Sequence, residues 1–85
     1  MIDINLLKLE LANNFGNTGQ LEIQYSNGKP DFVGYVYKMD DDTLDFTLMK
    51  MTTKVGENPY CDIDFNNIKK ITIKYQDGSA PKTFE

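Results

Sequence analysis

Four aspartates lie close together in one short stretch and are the residues best suited to polar chemistry. Asp40, Asp41 and Asp42 are consecutive, and Asp45 follows. Carboxylate oxygens are ligands that hard cations prefer, but the stretch lacks the glycine and the distal glutamate of an EF-hand loop. No nucleophile accompanies it, as an acid-base site would require. We therefore predict a solvated turn, with no metal, no cofactor and no catalytic residue. A bound cation is the alternative.

A second polar group is basic. Lys69, Lys70 and Lys74 form the one lysine cluster, a short distance after Asp62 and Asp64. The lysines could contact phosphates or an acidic neighbouring subunit, and the two aspartates could pair with them across the sheet or across an interface. Because alternating charge is common on half-buried strands, an exposed polar face is the favoured interpretation.

The aromatic residues and the single cysteine can each be interpreted as functional or as packing residues. Four tyrosines could stack nucleic-acid bases, but tyrosine is also an ordinary strand former and interface anchor, so packing is favoured. They are Tyr35, Tyr37, Tyr60 and Tyr75. Cys61 alternates in phase with Ile63 and Phe65, which predicts a small buried apolar group.

The residue types that are missing restrict the function further. The chain has no histidine, all nine of its basic residues are lysine, and its net charge is −4. Histidine is the usual acid-base catalyst, and arginine provides bidentate contacts to phosphate and guanine. An acidic total also opposes non-specific binding to nucleic acid. We predict that the protein is not an enzyme. The one catalytic alternative is that the chain contributes a subunit to a composite active site.

Length and hydropathy predict one small domain over residues 1–85. There is no apolar run long enough to cross a bilayer and no signal-peptide pattern, so we expect no membrane association. One cysteine cannot form an internal disulfide, which fits a reducing cytoplasm.

The first segment is predicted to be an amphipathic helix over residues 3–15. Asp3 can cap its first amides, and Asn14 and Gly16 lie where a helix would end. An apolar stripe at helical spacing supports the helix and contains Ile4, Leu7, Leu11 and Phe15. Alternation of leucines at positions 7, 9 and 11 keeps a strand open as the alternative.

The rest of the chain alternates with period two and predicts about five strands. They fall near residues 20–26, 32–39, 44–53, 61–65 and 70–75. Asn27-Gly28 predicts a tight hairpin, and Gly34 predicts a sharp bend or close backbone approach within the second strand. That strand has two apolar faces: one contains Phe32, Gly34 and Val36, and the other contains Val33, Tyr35, Tyr37 and Met39. The last residues, 80–85, either fray or add to an edge.

This order of elements resembles the Sm-like family over roughly residues 6–73. The matching segments are residues 21–28, 32–36 and 41–48, with weaker matches at 63–68 and 71–73. The resemblance implies a mainly β fold, in which an N-terminal α-helix precedes a strongly bent, five-stranded antiparallel small barrel of the Sm-like or SH3-like kind. It also implies rings in which the fourth strand of one subunit pairs with the fifth of the next.

Many rings of that family bind single-stranded, uridine-rich or adenine-rich RNA near the pore. By resemblance, the candidate RNA-binding residues are Thr43, Asp45, Asn66 and Asn67. Thr43 stands where the family has a base-stacking group, and Asp45 stands where it has a base-reading asparagine. Asp45 keeps acceptor oxygens but lacks the amide donors. We therefore expect a self-associating assembly module, with single-stranded RNA binding as the alternative function.

Overall fold

The computed structural model describes all of residues 1–85, as one helix, six strands and two short 3-10 turns. Helix α1 spans Ile4–Asn13, and the two 3-10 turns span Phe15–Asn17 and Phe65–Asn67. The strands are β1 (Thr18–Tyr25), β2 (Phe32–Asp40), β3 (Asp45–Lys50), β4 (Tyr60–Asp62), β5 (Ile68–Tyr75) and β6 (Lys82–Phe84).

Helix α1 begins where the sequence predicts. The Asp3 side chain accepts a hydrogen bond from the Leu6 backbone amide at 3.1 Å and so satisfies one free N–H group of the first turn. Leu7 and Leu11 are buried. The helical interpretation is therefore correct and the strand alternative is wrong. Phe15 lies beyond the helix, in the following 3-10 turn, and is 37% exposed, so it does not extend the apolar stripe.

The sheet is antiparallel and open. Its strand order is β4-β3-β2-β1-β5-β6, so β4 and β6 form the two edges. The mainly β class with an N-terminal helix is confirmed, but the five-stranded closed barrel is wrong. Residues 82–84 pair with β5 as a sixth strand, and no ladder of hydrogen bonds joins the two edges. Of the two alternatives for the last residues, addition to an edge is correct.

One apolar core lies between the inner face of the sheet and α1. Its ten buried residues come from the helix, from strands β1, β2, β3 and β5, and from the segment after β4. They are Leu7, Leu11, Leu21, Ile23, Phe32, Phe46, Leu48, Ile63, Ile71 and Ile73. The period-two alternation therefore assigns the inward side chains of β1, β3 and β5 correctly.

Strand β2 changes phase in its second half. Phe32 and Gly34 face the core, whereas the register shifts between Val36 and Lys38, where a bulge adds one residue. After the bulge Met39 packs against the core together with Val36. The prediction that Met39 shares a face with Val33, Tyr35 and Tyr37 is therefore wrong, because a bulge reverses the inward and outward positions that follow it.

Strands β3 and β4 are shorter than predicted. Strand β3 ends at Lys50 and does not continue to residue 53. Strand β4 covers Tyr60–Asp62, and the chain then turns into the 3-10 segment Phe65–Asn67. Ile63 remains buried after β4 ends, so the apolar alternation of residues 61–65 reports burial over a longer range than strand pairing.

A polar cluster joins the helix to the last two strands. The Tyr75 hydroxyl donates to Glu10 Oε1 at 2.7 Å, and Lys82 Nζ lies 3.0 Å from the same oxygen. The bond from Tyr75, followed by that from Lys82, lowers the pKa of Glu10 below its ordinary 4.5. Burial, followed by the bond to Glu10, raises the pKa of Tyr75 to about 12. Both shifts favour the charged carboxylate and the neutral phenol, which is the bonded state.

Removing the Tyr75 hydroxyl should therefore weaken the fold and change its pH dependence. A hydrogen bond to a charged group contributes about 1.5–3 kcal/mol, so Tyr75→Phe should lower the free energy of unfolding by that amount near neutral pH. The stabilisation from Glu10 exists above pH 4.5 and is lost as pH falls below it; that from Tyr75 exists below pH 10 and is lost between pH 10 and about 12.

Urea denaturation from pH 3 to 12 measures the loss of stability at both the acidic and the alkaline end. Tyr35→Phe is the matched control, because the Tyr35 hydroxyl lies on the outer face without a hydrogen-bond partner in the protein. Equal losses in the two variants would mean that the bond between Tyr75 and Glu10 does not stabilise the fold.

Candidate interaction edges and turns

The acidic stretch forms the turn between β2 and β3. Asp40 Oδ1 accepts hydrogen bonds from the backbone amides of Asp42 at 2.9 Å and Thr43 at 3.2 Å. Asp41, Asp42 and Asp45 are exposed. The structure contains no group of three or more cysteine, aspartate or glutamate side chains arranged to hold a metal ion. The geometry is that of a turn whose first carboxylate is used by its own backbone.

Leu44 closes this turn in the left-handed region, with φ of 54°. Its amide donates to the Asp40 carbonyl at 2.9 Å, and its side chain packs against the core. A left-handed conformation costs a residue with a side chain roughly 1–2 kcal/mol. Burial of the leucine side chain offsets this cost, and alternation alone does not reveal the conformation.

Thr43 and Asp45, two of the candidate RNA-binding residues, lie at this turn. The Thr43 hydroxyl oxygen accepts a long hydrogen bond of 3.3 Å from the Asp45 amide. Both side chains are exposed, and Asp45 is paired in register with Asp40 as the first residue of β3.

Asn66 and Asn67, the other two candidates, belong to the 3-10 turn that precedes β5. Asn67 Nδ2 donates to Asp64 Oδ2 at 2.9 Å, and the Asn67 carbonyl accepts from the Ser26 amide at 2.8 Å. Asn67 thus supports its own turn through its side chain and the β1–β2 turn through its carbonyl. Asn66 is exposed and makes no side-chain hydrogen bond within the protein.

The two candidate turns are linked through the residues beside them. Phe46 follows Asp45, Phe65 precedes Asn66, and their rings meet edge to face with centroids 6.1 Å apart. The Ile63 amide also lies 3.4 Å from the Phe46 carbonyl. The same packing therefore holds the backbone beside Asp45 and the backbone beside Asn66. RNA binding by the four candidate side chains stays a prediction.

The edge strand β4 carries an acidic residue on its outer face. Leu48 and its register partner Cys61 face the core side, so Tyr60 and Asp62 face outward. Asp62 is exposed and forms no ion pair, whereas Asp64 is bonded to Lys29 at 3.0 Å. Of the two acidic residues in the sequence pattern, Asp62 alone is without an ionic partner.

The lysine cluster lies on β5, toward the other edge of the sheet from β4. Lys70 and Lys74 lie on the outer face of β5, because Ile71 and Ile73 face the core. Lys74 Nζ lies 3.4 Å from Glu22 on β1, while Lys69 and Lys70 form no ion pair. The sequence-based pairing of these lysines with Asp62 or Asp64 does not occur within the chain, which leaves an interface as the remaining form of that hypothesis.

The backbone of β4 presents a partly free edge. The Lys50 amide donates to the Pro59 carbonyl at 2.8 Å, and the Ile63 amide contacts the Phe46 carbonyl, so odd-numbered residues bond inward to β3. Tyr60 and Asp62 therefore direct their N–H and C=O groups away from β3. The Tyr60 amide is capped by Asn58 Oδ1 at 3.0 Å, which leaves the Asp62 groups open for another strand.

Three of the four tyrosines share the outer face next to this edge. Tyr37 and Tyr60 have ring centroids 4.6 Å apart, and Tyr35 and Tyr60 both flank Met49 in register. All three are more than a third exposed. Tyr75 lies elsewhere and bonds to Glu10.

Cys61 borders an open groove of about 490 Å³ beneath the β1–β2 turn, between Lys29 and Lys50. Burial is the main cause that raises the pKa of its thiol above the ordinary 9.0. A raised pKa disfavours the nucleophilic thiolate. The half-buried position agrees with the packing role predicted from its phase.

Sequence reasoning did not identify β5 as the strand that the last residues cover. Strand β6 pairs with β5 through Ile71–Phe84, Thr72–Thr83 and Ile73–Lys82. The alternation in Lys82-Thr83-Phe84 is too short to predict a strand, although Phe84 as an isolated apolar residue was a weak signal.

The single ten-residue helix lacks the length and hydropathy needed to cross a membrane. Comparison of the chain with protein-family models, with curated proteins and with solved structures gives no match.

Proposed function

We propose that this protein is an assembly module that self-associates through its sheet edges. Strand β4 of one copy pairs with the β5 side of the next copy, so that the sheet continues from one molecule to another. Exposed edge strands are templates for such pairing, because their N–H and C=O groups have no partner on one side.

The observation that carries this proposal is the opposite charge of the outer-face side chains on β4, at one edge of the sheet, and on β5, near the other edge. Asp62 on β4 and Lys70 on β5 both face outward, and neither has an ionic partner within the chain. If a sheet continues across an interface, outer-face residues remain on the outer face. Asp62 of one copy would then lie next to lysine side chains of the other, which favours this register over others.

Pairing of two different edges is a heterologous contact. It leaves one free edge on each copy and generates a closed ring or an open filament. Strand β4 is at one edge of the sheet, and β5 lies second from the other edge, where the three-residue strand β6 covers Ile71–Ile73. This is the pair of strands that the resemblance to the Sm-like family nominates for ring formation.

Charge reversal at the two edges tests the proposal. Asp62→Lys and Lys70→Asp should each weaken self-association about tenfold, since exchanging a surface attraction for a repulsion changes the binding free energy by about 1.4 kcal/mol. Light scattering coupled to size-exclusion chromatography, over a range of concentrations at low salt, gives the mass of each variant.

The two variants also provide their own rescue experiment. In an equimolar mixture, every contact between unlike variants places one acidic and one basic side chain at positions 62 and 70, so association should return. The chain that carries both Asp62→Lys and Lys70→Asp should also associate by itself, because the two charges are then exchanged. A wild-type chain that stays monomeric at high concentration would refute the proposal, and a mixture that stays as weak as its components would refute the register.

Single-stranded RNA binding is the second candidate, favoured by the shared packing of Phe46 and Phe65 next to the four residues that the family resemblance identifies. Titration with short oligo-U and oligo-A at low salt tests it, because phosphate contacts are strongest there. Absence of binding to both would remove this candidate.

A further inference from the structure

We infer that β6 is a displaceable strand that occupies the β5 edge until β4 of a second copy replaces it. This inference rests on the assembly proposed above and adds a condition to it: the molecule covers its own acceptor edge, and assembly requires β6 to leave. The strand thereby limits self-association at low concentration.

The position of β6 makes it a direct competitor. It pairs with Ile71, Ile73 and the residue between them, which are the middle of an eight-residue strand. The parts of β5 left uncovered, residues 68–70 and 74–75, are three and two residues long. A second strand cannot form a continuous ladder along β5 while β6 is in place, because the N–H and C=O groups on that side of β5 can pair with only one strand at a time.

The attachment of β6 is limited to a few contacts. Lys82 bonds to Glu10 at 3.0 Å but its side chain is 54% exposed, and the Thr72 and Thr83 hydroxyls lie 3.4 Å apart on the surface. Phe84 packs against the core but is only partly buried. Short elements with few buried apolar contacts open at the low end of the stability range, without unfolding of the rest.

Replacement by β4 would place an acidic side chain beside the lysines of β5. Strands β4 and β6 each have three residues, but β6 forms no ion pair with the lysines of β5. Strand β4 brings Asp62 on the outer face, next to Lys70. The exchange therefore gives up the Lys82–Glu10 ion pair that leaves with β6 and forms an ionic contact with the β5 lysines, which the intramolecular pairing lacks.

A reversible covalent lock tests the inference in the full chain. Thr72→Cys and Thr83→Cys, introduced together in a Cys61→Ala background, place two thiols at directly paired positions, where the Cα atoms of antiparallel strands are about 4.5–5.5 Å apart and a disulfide can form. The reduced chain is the matched control for the oxidised one. Light scattering measures association of both, and circular dichroism confirms that both are folded.

We expect the reduced chain to associate and the oxidised chain to associate at least tenfold more weakly, with recovery after reduction. A second variant, Phe84→Ser, loosens β6 without a disulfide and should associate more tightly than Glu85→Ser, which lies beyond the strand.

The outcomes separate the two proposals. Equal association of the oxidised and reduced chains would refute both the role of β6 and the pairing of β4 with β5, but would leave assembly through the sheet edges intact, with β4 docking on β6. Monomers in every state, including Phe84→Ser, would refute edge assembly and with it the need for β6 to leave.

Discussion

Replacing Phe46 by alanine should lower the free energy of unfolding by about 3–5 kcal/mol, the usual cost of truncating a fully buried phenylalanine. Phe46 is 2% exposed, and its ring meets Phe65 beside the turn that leads into β5. For 85 residues the total stability is on the order of 4–13 kcal/mol. The loss is therefore a large fraction of the whole, and the variant should be partly unfolded at 37 °C.

The matched control is Tyr37→Ala in the neighbouring strand. Tyr37 is 53% exposed, so its truncation leaves no cavity and should cost about 1 kcal/mol, the span of strand propensities. Urea denaturation followed by circular dichroism measures both. If the two variants lost similar stability, Phe46 would not belong to the buried core.

The local part of the fold could be predicted from the sequence because it depends on side chains a few residues apart. The Asp3 cap, the leucines of α1 and the alternation of β1, β3 and β5 are all local patterns. Asn27-Gly28 likewise predicts the chain reversal between β1 and β2, and Gly28 has a positive φ of 82°. The predicted tight hairpin is wrong, because residues 26–31 form a six-residue loop and Asn27 does not have a positive φ.

The remainder depends on partners that are distant in the sequence. The bulge that moves Met39 to the core arises from the pairing of β2 with β3, and no local pattern marks the extra residue. Strand β6 exists because the β5 edge accepts it. The bond between Tyr75 and Glu10 joins positions 65 residues apart. Each of these features is decided by tertiary contacts.

The candidate site divides in the same way. Its charges, Asp62 and the lysines of β5, are visible in the sequence, and the outward phase of Asp62 follows from alternation with Cys61. Which charges remain without a partner does not follow, because Lys29 from a different hairpin takes Asp64. The sequence could therefore suggest an interface, but only the assembled sheet identifies which residues would form it.

Replacing Gly34 by alanine is the second substitution with a large expected effect. A Cβ atom at this position would overlap the Met49 carbonyl oxygen and lie 2.6 Å from the Phe32 ring. The nearer obstacle is backbone in the paired strand β3, which cannot rotate away, so β2 and β3 must separate. Overpacking of this kind costs about 1–3 kcal/mol and occasionally more.

Gly16→Ala is the control that isolates this close approach from the general effect of replacing glycine. A Cβ atom on Gly16 meets no atom within 4 Å, and Gly16 does not have a positive φ. Its replacement should be neutral or stabilise the fold by about 0.4–1 kcal/mol, because the unfolded chain loses conformational freedom. Thermal and urea denaturation of both variants should thus give changes of opposite sign or clearly different size.

Because β3 lies between β2 and the β4 edge, Gly34→Ala should also weaken self-association if β4 is the donor edge. A Gly34→Ala chain as stable as Gly16→Ala would mean that β2 and β3 are not in contact at this point.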